Sequence, residues 1–185
     1  MNARAAPTLF QQALGAAYYS LAPCVRRLHG IRGQARYVGV ATIECGNNPL
    51  ARICVRIAGL PAEARDAAIR VEFIADGHGE TWRRDFAGQK MASALQYRDG
   101  LLCERLGPLQ FRYFLHAREG ALWWQVAGVT LSGFLPLPAR LFDGVRCRER
   151  ECEGRYEFMV EAQLPLVGRI IRYEGWLLPE ADAQA

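Results

Sequence analysis

Apolar and polar residues alternate with a period of two along most of the chain between Arg36 and Leu177. Each alternating run is short and is followed by Gly, Pro or an Asp-Gly pair, which are residues typical of turns. Alternation of this kind places one set of side chains on each face of a sheet. The pattern therefore predicts a mainly β (α+β) protein, folded as an antiparallel β-barrel or a strongly curved sheet.

Two helices are predicted before the first strand. Thr8 and Gln11 have the spacing of a capping box, so the first helix is expected to begin at Thr8. Pro23 starts a second, shorter helix that stops at His29-Gly30. We expect this amphipathic pair to pack against the sheet or to close one end of a barrel. A pair of helices that binds a protein partner is the alternative.

A third helix is predicted directly after the first strand. Asn48 has the character of an N-cap, and Pro49 follows it at the first helical position. The apolar residues that then recur at helical spacing are Leu50, Ile53, Cys54 and Ile57, and Arg52 and Arg56 lie on another face.

Length and charge limit the classes of protein to consider. A chain of 185 residues without a linker-like stretch is expected to form one domain, 1–185, with an ordered core from about residue 8 to 178. The net charge is +4, and Lys90 is the only lysine. The arginines are spread among acidic residues, without the basic block or aromatic platform that nucleic-acid binding needs. We expect no nucleic-acid partner.

The cysteines and the termini bear on the compartment. The six cysteines form no CxxC pair and no zinc-ligand spacing; they are Cys24, Cys45, Cys54, Cys103, Cys147 and Cys152. The N-terminus lacks the apolar core of a signal peptide, and no stretch approaches the roughly 20 apolar residues of a membrane span. We therefore expect a cytoplasmic protein with reduced, mostly buried thiols.

One predicted strand carries charges on both faces. Arg146, Arg148 and Arg150 share one face, and Cys147, Glu149 and Glu151 share the other. Two interpretations remain open. The strand is either an exposed edge protected by its charges, or its inner face borders a polar, ligand-holding interior.

A second interruption of the alternation places charge among aromatic residues. Arg84 shares a face with Trp82 and Phe86, where its guanidinium can stack on the rings and bind a carboxylate or phosphate. Glu104 lies between Leu102 and Leu106 on one face and needs a partner if it is buried. The sequence thus allows either an Arg84–Glu104 structural pair or an arginine that anchors a ligand.

Large aromatic residues could complete a pocket, although core packing is their commoner role. They are Tyr113, Trp123, Trp124, Tyr173 and Trp176. The full set of candidate ligand-binding residues is Arg84, Trp82, Glu104, Tyr113, Trp124, Arg148, Glu149 and Tyr173.

Motifs for catalysis or cofactor binding are not found in the sequence. His29, His78 and His116 are far apart, and none belongs to a Ser or Cys nucleophile elbow. No Gly-rich phosphate loop joins a strand to a helix. We therefore predict no catalytic residue, no metal site and no cofactor.

Several ordered signatures resemble an uncharacterised bacterial family, the domain-of-unknown-function family DUF 4166. They are Leu21, Pro23 and Leu28-His29-Gly30, then Gly59-Leu60-Pro61, Trp82-Arg83-Arg84-Asp85-Phe86, Glu104-Arg105-Leu106-Gly107-Pro108-Leu109 and Arg172-Tyr173-Glu174-Gly175-Trp176-Leu177. The similarity extends from Leu9 to Leu178. It implies an accessory or ligand-binding role, because members of the family look to be fused in places to reductase-like or membrane domains. It supplies no catalytic residues.

Three functions are consistent with these observations. The leading one is non-catalytic binding of a small amphipathic or lipid-like ligand in a cavity of the sheet. The second is an enzyme whose acid–base groups are internal residues such as Glu104 and Glu149. The third is an interaction module that docks a reductase-like protein partner.

Overall fold

Ten antiparallel strands close into a barrel in the computed structural model, which describes residues 6–180. Neighbouring strands follow the order β6-β5-β4-β3-β2-β1-β11-β10-β9-β7, and pairing of β6 with β7 closes the ring. The strands are β1 Gly33–Cys45, β2 Ala64–Ala75, β3 Glu80–Phe86, β4 Gln89–Arg98, β5 Leu101–Leu106, β6 Leu109–Arg118, β7 Ala121–Leu131, β9 Arg146–Cys152, β10 Arg155–Leu164 and β11 Gly168–Pro179. A short strand, β8 Leu135–Leu137, pairs with the end of β7. The predicted mainly β architecture is confirmed.

The hairpin turn between β4 and β5 uses the Asp-Gly pair that the sequence identified as a turn signal. Asp99 and Gly100 both have positive φ angles, 52° and 80°, as a two-residue type I′ turn requires. Glu119-Gly120 and Glu153-Gly154 repeat this pair of left-handed conformations. Because such turns match the right-handed twist of the flanking strands, they support the continuous up-and-down order of the barrel.

The N-terminal segment closes one end of the barrel, which we call the helical end. It contains α1 Leu9–Leu14, a 3₁₀ helix Gly15–Ser20 and α2 Pro23–Leu28. The predicted capping box between Thr8 and Gln11 is present. The backbone N–H of Ala22 donates to the carbonyl of Gly120, 2.8 Å away, which ties this segment to the turn between β6 and β7.

We call the N-terminal segment that closes the helical end the plug, and the ring of Phe10 is its main contact with the barrel interior. Phe10 is fully buried, its centroid lies 3.7 Å from that of His29, and it packs against Trp82 and Trp124 from the barrel wall. Burial of one such ring contributes about 1.5–3 kcal/mol. The expectation that the N-terminal pair closes a barrel end is therefore confirmed.

The opposite end, which we call the open end, carries α3 and the remaining connections. Helix α3, Pro49–Ala58, is capped by the Asn48 side chain and ends at Gly59, whose φ is 63°. Ala51 and Ala58 are buried, whereas Leu50, Ile53 and Ile57 are exposed to solvent. Most of the apolar stripe that the sequence periodicity identifies is therefore exposed to solvent rather than packed in the core. A 3₁₀ helix, Ala139–Phe142, lies at the same end.

Several sequence expectations need correction. The strand with charges on both faces, β9, is not an edge strand, because it pairs with β10 on one side and with β7 on the other. Its outer charges have neighbours: Arg150 contacts Glu157 on β10, for example. The cysteines are free, as predicted, but only Cys103 is buried and the other five are half-buried. Within residues 6–180 no helix is long and apolar enough to cross a membrane.

Candidate ligand-binding site in the barrel

The barrel encloses a cavity of about 290 Å³ that extends from its middle to the open end. The upper wall is apolar because inward positions of the alternating strands meet the inner face of α3 there. It includes Leu60, Leu106, Phe111, Phe142, Val160 and Ile171. A cavity of this size lies at the lower end of the range that binds small molecules.

Charge is concentrated at the base of the cavity, around Arg84. Its Nη1 donates to Ser93 Oγ at 3.0 Å, and its Nη2 lies 3.7 Å from Glu104 Oε1. The guanidinium also stacks on Trp82, with its carbon 5.0 Å from the ring centroid. The Arg84–Glu104 pairing predicted from the sequence is therefore present, although the distance between the two charged groups is longer than a hydrogen bond.

Three aromatic side chains bring polar atoms to the same region. Trp124 is buried and its Nε1–H has no acceptor among the described residues, which is costly for a donor that is shielded from water. Burial raises the pKa of the Tyr113 and Tyr173 phenols well above their usual range. Both hydroxyls therefore remain protonated at neutral pH and can donate a hydrogen bond.

At the base of the cavity a second buried polar group, Glu149, connects the barrel wall to the N-terminal segment. Glu149, on the inner face of β9, contacts Nε2 of His29 from the end of α2. Glu80, at the start of β3, accepts a hydrogen bond from Trp82 Nε1 at 2.9 Å. Burial raises the pKa of Glu80 above its ordinary value of 4.5, partly offset by the Trp82 hydrogen bond.

Two thiols line the cavity as well. Cys147 faces Glu104 and Arg84, and burial raises the pKa of its thiol. A raised pKa keeps the group in the poorly nucleophilic thiol form. Cys54 reaches the cavity from α3 at the open end.

Seven of the eight candidate ligand-binding residues line this single cavity. They are Trp82, Arg84, Glu104, Tyr113, Trp124, Glu149 and Tyr173. The eighth, Arg148, is on the outer surface, where its guanidinium lies 5.7 Å from the ring centroid of Trp123. The correction follows from the period of two: Cys147 and Glu149 point inward, so Arg148 between them points outward. Trp123 is likewise exposed and lies outside the cavity.

Sequence reasoning missed His29 and Glu80 as parts of the buried polar interior. In the sequence His29 only marks the predicted stop of the second helix, and it is 120 positions away from its partner Glu149. The signal for Glu80 was weak because it directly follows the Asp76–Gly79 turn and begins a strand of ordinary alternating pattern.

A larger groove of about 970 Å³ on the outer surface is less suited to a ligand. Three of its arginines already have carboxylate partners: Glu72 pairs with Arg36 at 3.4 Å and with Arg83 at 3.1 Å. Arg70 pairs with Glu180 in the same groove. The groove is also lined mainly by charged side chains, several of them exposed to solvent, and lacks the apolar wall of a small-molecule site.

Comparison with known families assigns the chain to a domain family of unknown function. The model of the domain of unknown function DUF4166 matches residues 21–177, which is most of the chain. The chain belongs to this family. The DUF4166 match begins after α1 and covers α2 and the barrel as far as Leu177 in β11. No curated protein matches the chain.

Proposed function

We propose that this DUF4166 barrel binds a small amphipathic or lipid-like molecule without catalysing a reaction on it. The observation that supports the proposal is the division of one cavity into an apolar upper part and a charged base. An amphipathic ligand would place its apolar part beneath α3 and its polar head beside Arg84. Binding sites of this composition, mostly apolar with a few convergent polar groups, are typical of small-molecule carriers.

The polar groups at the base favour a head group that accepts hydrogen bonds. Arg84 Nη2 is 3.7 Å from Glu104, so its hydrogens are not fully used by that carboxylate. The Trp124 N–H is a second donor without a partner in residues 6–180. A compact acidic head, such as a carboxylate, would satisfy both donors.

The geometry supports acid–base catalysis less well. Glu80, whose raised pKa is the strongest sign of a tuned carboxyl group, does not line the cavity. The Cys147 thiol and the Tyr113 and Tyr173 phenols are all held in their protonated forms. These groups are suited to binding a ligand rather than to attacking it.

The expected compartment and the expected protein partner are part of the same proposal. The free cysteines are consistent with a bacterial cytoplasmic carrier. Docking to a reductase-like protein, which the family resemblance implies, is the alternative if the cavity binds nothing.

The proposal is tested by titrating the protein with a fatty acid and with the fatty alcohol of equal length. We expect saturable binding of both. Arg84→Met should weaken the acid by roughly 1.5–3 kcal/mol, about ten- to a hundred-fold, and should affect the alcohol much less. Methionine keeps much of the apolar stem while it removes the charge.

Two further variants complete the design. Arg148→Met also removes one positive charge, but from the outer surface of strand β9, and should leave the affinities for the acid and the alcohol unchanged. Ala162→Phe fills the upper cavity and should abolish binding of both ligands. If a correctly folded Ala162→Phe protein binds the ligands like the wild type, the cavity is not the binding site and the proposal is wrong.

A further inference from the structure

Exposed apolar side chains are concentrated around the open end of the barrel. Among the described residues, seven of the eleven large hydrophobic side chains that are exposed lie there. They are Leu50, Ile53 and Ile57 on α3, Phe134 between β7 and β8, Leu135 at the start of β8, Leu141 on the second 3₁₀ helix and Leu166 between β10 and β11. We call this set the apolar ring.

The segments that carry the apolar ring are fastened to one another. Asn48, at the start of α3, donates through Nδ2 to the carbonyl of Val167 at 3.3 Å, beside Leu166. The N–H of Ser132 donates to the carbonyl of Pro108 at 2.7 Å, which joins the turn before Phe134 to the turn between β5 and β6. Hydrogen bonds therefore connect the segments of the apolar ring, which form one surface rather than independent loops.

Leu166 shows that this exposure carries a cost. Leu166 is fully exposed to solvent, and its φ is +65°. A leucine in the left-handed region is strained, and Gly or Asn would relieve the strain. A strained and fully exposed leucine is expected to persist where an interaction requires it.

The charges next to the ring are mainly positive. Arg52 and Arg56 are exposed and flank the apolar stripe of α3, which has no acidic residue. Arg140 is exposed on the second 3₁₀ helix. The acidic residues in these connections are Glu63 and Asp143. A helix with apolar residues on one face and arginines beside them matches the composition of helices that lie in the interface of a bilayer with anionic lipids.

We propose that the open end docks onto a membrane surface that contains anionic lipids, with the apolar ring inserted among the acyl chains and Arg52, Arg56 and Arg140 at the phosphate level. A bilayer suits the shape of this surface because its fluid apolar phase accommodates side chains that surround an opening. Ile57 links the two regions, since it belongs to the ring and also lines the cavity. Docking in this orientation would place the cavity entrance against the lipid.

The proposal goes beyond ligand binding and does not depend on it. It is tested by sedimenting the full chain, without added ligand, with vesicles of phosphatidylcholine alone or of phosphatidylcholine mixed with phosphatidylglycerol. We expect binding to the mixed vesicles that decreases as salt rises. Arg52→Gln with Arg56→Gln should weaken it roughly twenty-fold, since each arginine near an anionic surface contributes about five-fold. Leu50→Gln with Ile53→Gln should weaken it at least about ten-fold.

Matched controls come from elsewhere on the surface. Tyr19→Gln removes an exposed aromatic ring at the helical end, and Arg98→Gln with Arg118→Gln removes two arginines there. These variants should bind vesicles like the wild type. The Leu50→Gln, Ile53→Gln protein should still bind a fatty acid in solution, which separates this proposal from the previous one.

Several outcomes would overturn the docking proposal. Wild-type protein that does not sediment with mixed vesicles contradicts it directly. Equal loss in the helical-end controls would show that the attraction depends only on overall charge. A concentration-dependent dimer that disappears in the Leu50→Gln, Ile53→Gln variant, without any vesicle binding, would instead assign the apolar ring to contacts between copies of the chain.

Discussion

His29 Nε2 contacts the carboxylate of Glu149 inside the barrel, and 120 positions of sequence separate the two residues. His29 is almost fully buried and belongs to the helical plug, whereas Glu149 belongs to the barrel wall. This contact, together with the burial of Phe10, fastens the plug to the barrel.

We expect the His29–Glu149 pair to be important for stability. Glu149→Ala and His29→Ala should each lower the free energy of unfolding by about 3–5 kcal/mol, since each leaves a buried polar partner without its counterpart. The two losses should be non-additive by about 1–3 kcal/mol in a double-mutant cycle measured by urea unfolding.

The control for this measurement is a pair on the outer surface of the same strand. Arg150 and Glu157 are partly exposed, so Glu157→Gln should change the free energy of unfolding by less than about 1 kcal/mol. Additive losses at His29 and Glu149 would show that the contact does not hold the plug in place.

Glu80 should make stability depend on pH in a definite direction. Its pKa is raised in the folded protein, so above pH 4.5 the folded state holds a proton that the unfolded chain releases. The free energy of unfolding should therefore fall as pH rises from 4.5 through the folded pKa.

Glu80→Gln removes this titration and retains an oxygen that can accept from Trp82 Nε1. Relative to wild type, the variant should gain stability between pH 4.5 and pH 7, by about 1.4 kcal/mol for each unit of pKa shift. Urea unfolding at both pH values, with the exposed Glu119→Gln as control, measures this difference. A variant that loses stability as steeply as wild type would show that another group titrates.

The sequence predicted which strand residues face the barrel interior better than it predicted the contacts that close the end of the barrel. Alternation assigned Arg84 and Glu104 to the interior, and the structure brings their charged groups within 3.7 Å. The same period placed Glu149 on one face of β9 with Cys147, but it could not decide whether that face points inward or identify the opposite neighbour. His29 directly follows a helix with a different period, and only the closed ring brings the end of that helix over the barrel interior.

Two features that the sequence left undecided have a common physical origin. Strand β9 was considered either an exposed edge or the border of a polar interior because neither face is apolar, and the surroundings of the apolar stripe of α3 were not predicted. In the structure the inward charges of β9 face a cavity and buried partners, while Leu50, Ile53 and Ile57 of the stripe are exposed to solvent. A local pattern gives the face on which a residue lies, but the environment of that face depends on contacts distant in sequence.

Glu104 should compete with an acidic ligand for Arg84. Glu104→Gln removes the competing negative charge and leaves a side chain of the same shape, so the affinity for a fatty acid should rise by about three- to ten-fold. The affinity for the fatty alcohol should change much less. Calorimetric titration of both ligands measures the two effects, and weaker binding of the acid by this variant would place its head group elsewhere.

A bound ligand should protect the cavity thiols from alkylation. Cys54 and Cys147 line the cavity, whereas Cys24 and Cys152 do not. Saturation with a fatty acid should slow the alkylation of Cys54 and Cys147 several-fold and leave the other two unchanged, as measured by peptide mass spectrometry over time. The raised pKa of Cys147 makes its alkylation slow even without ligand, so Cys54 is the more sensitive probe. After denaturation without reductant all six thiols should react, because none is in a disulfide. Protection of Cys24 and Cys152 to the same extent would indicate that the ligand stabilises the whole fold from another site.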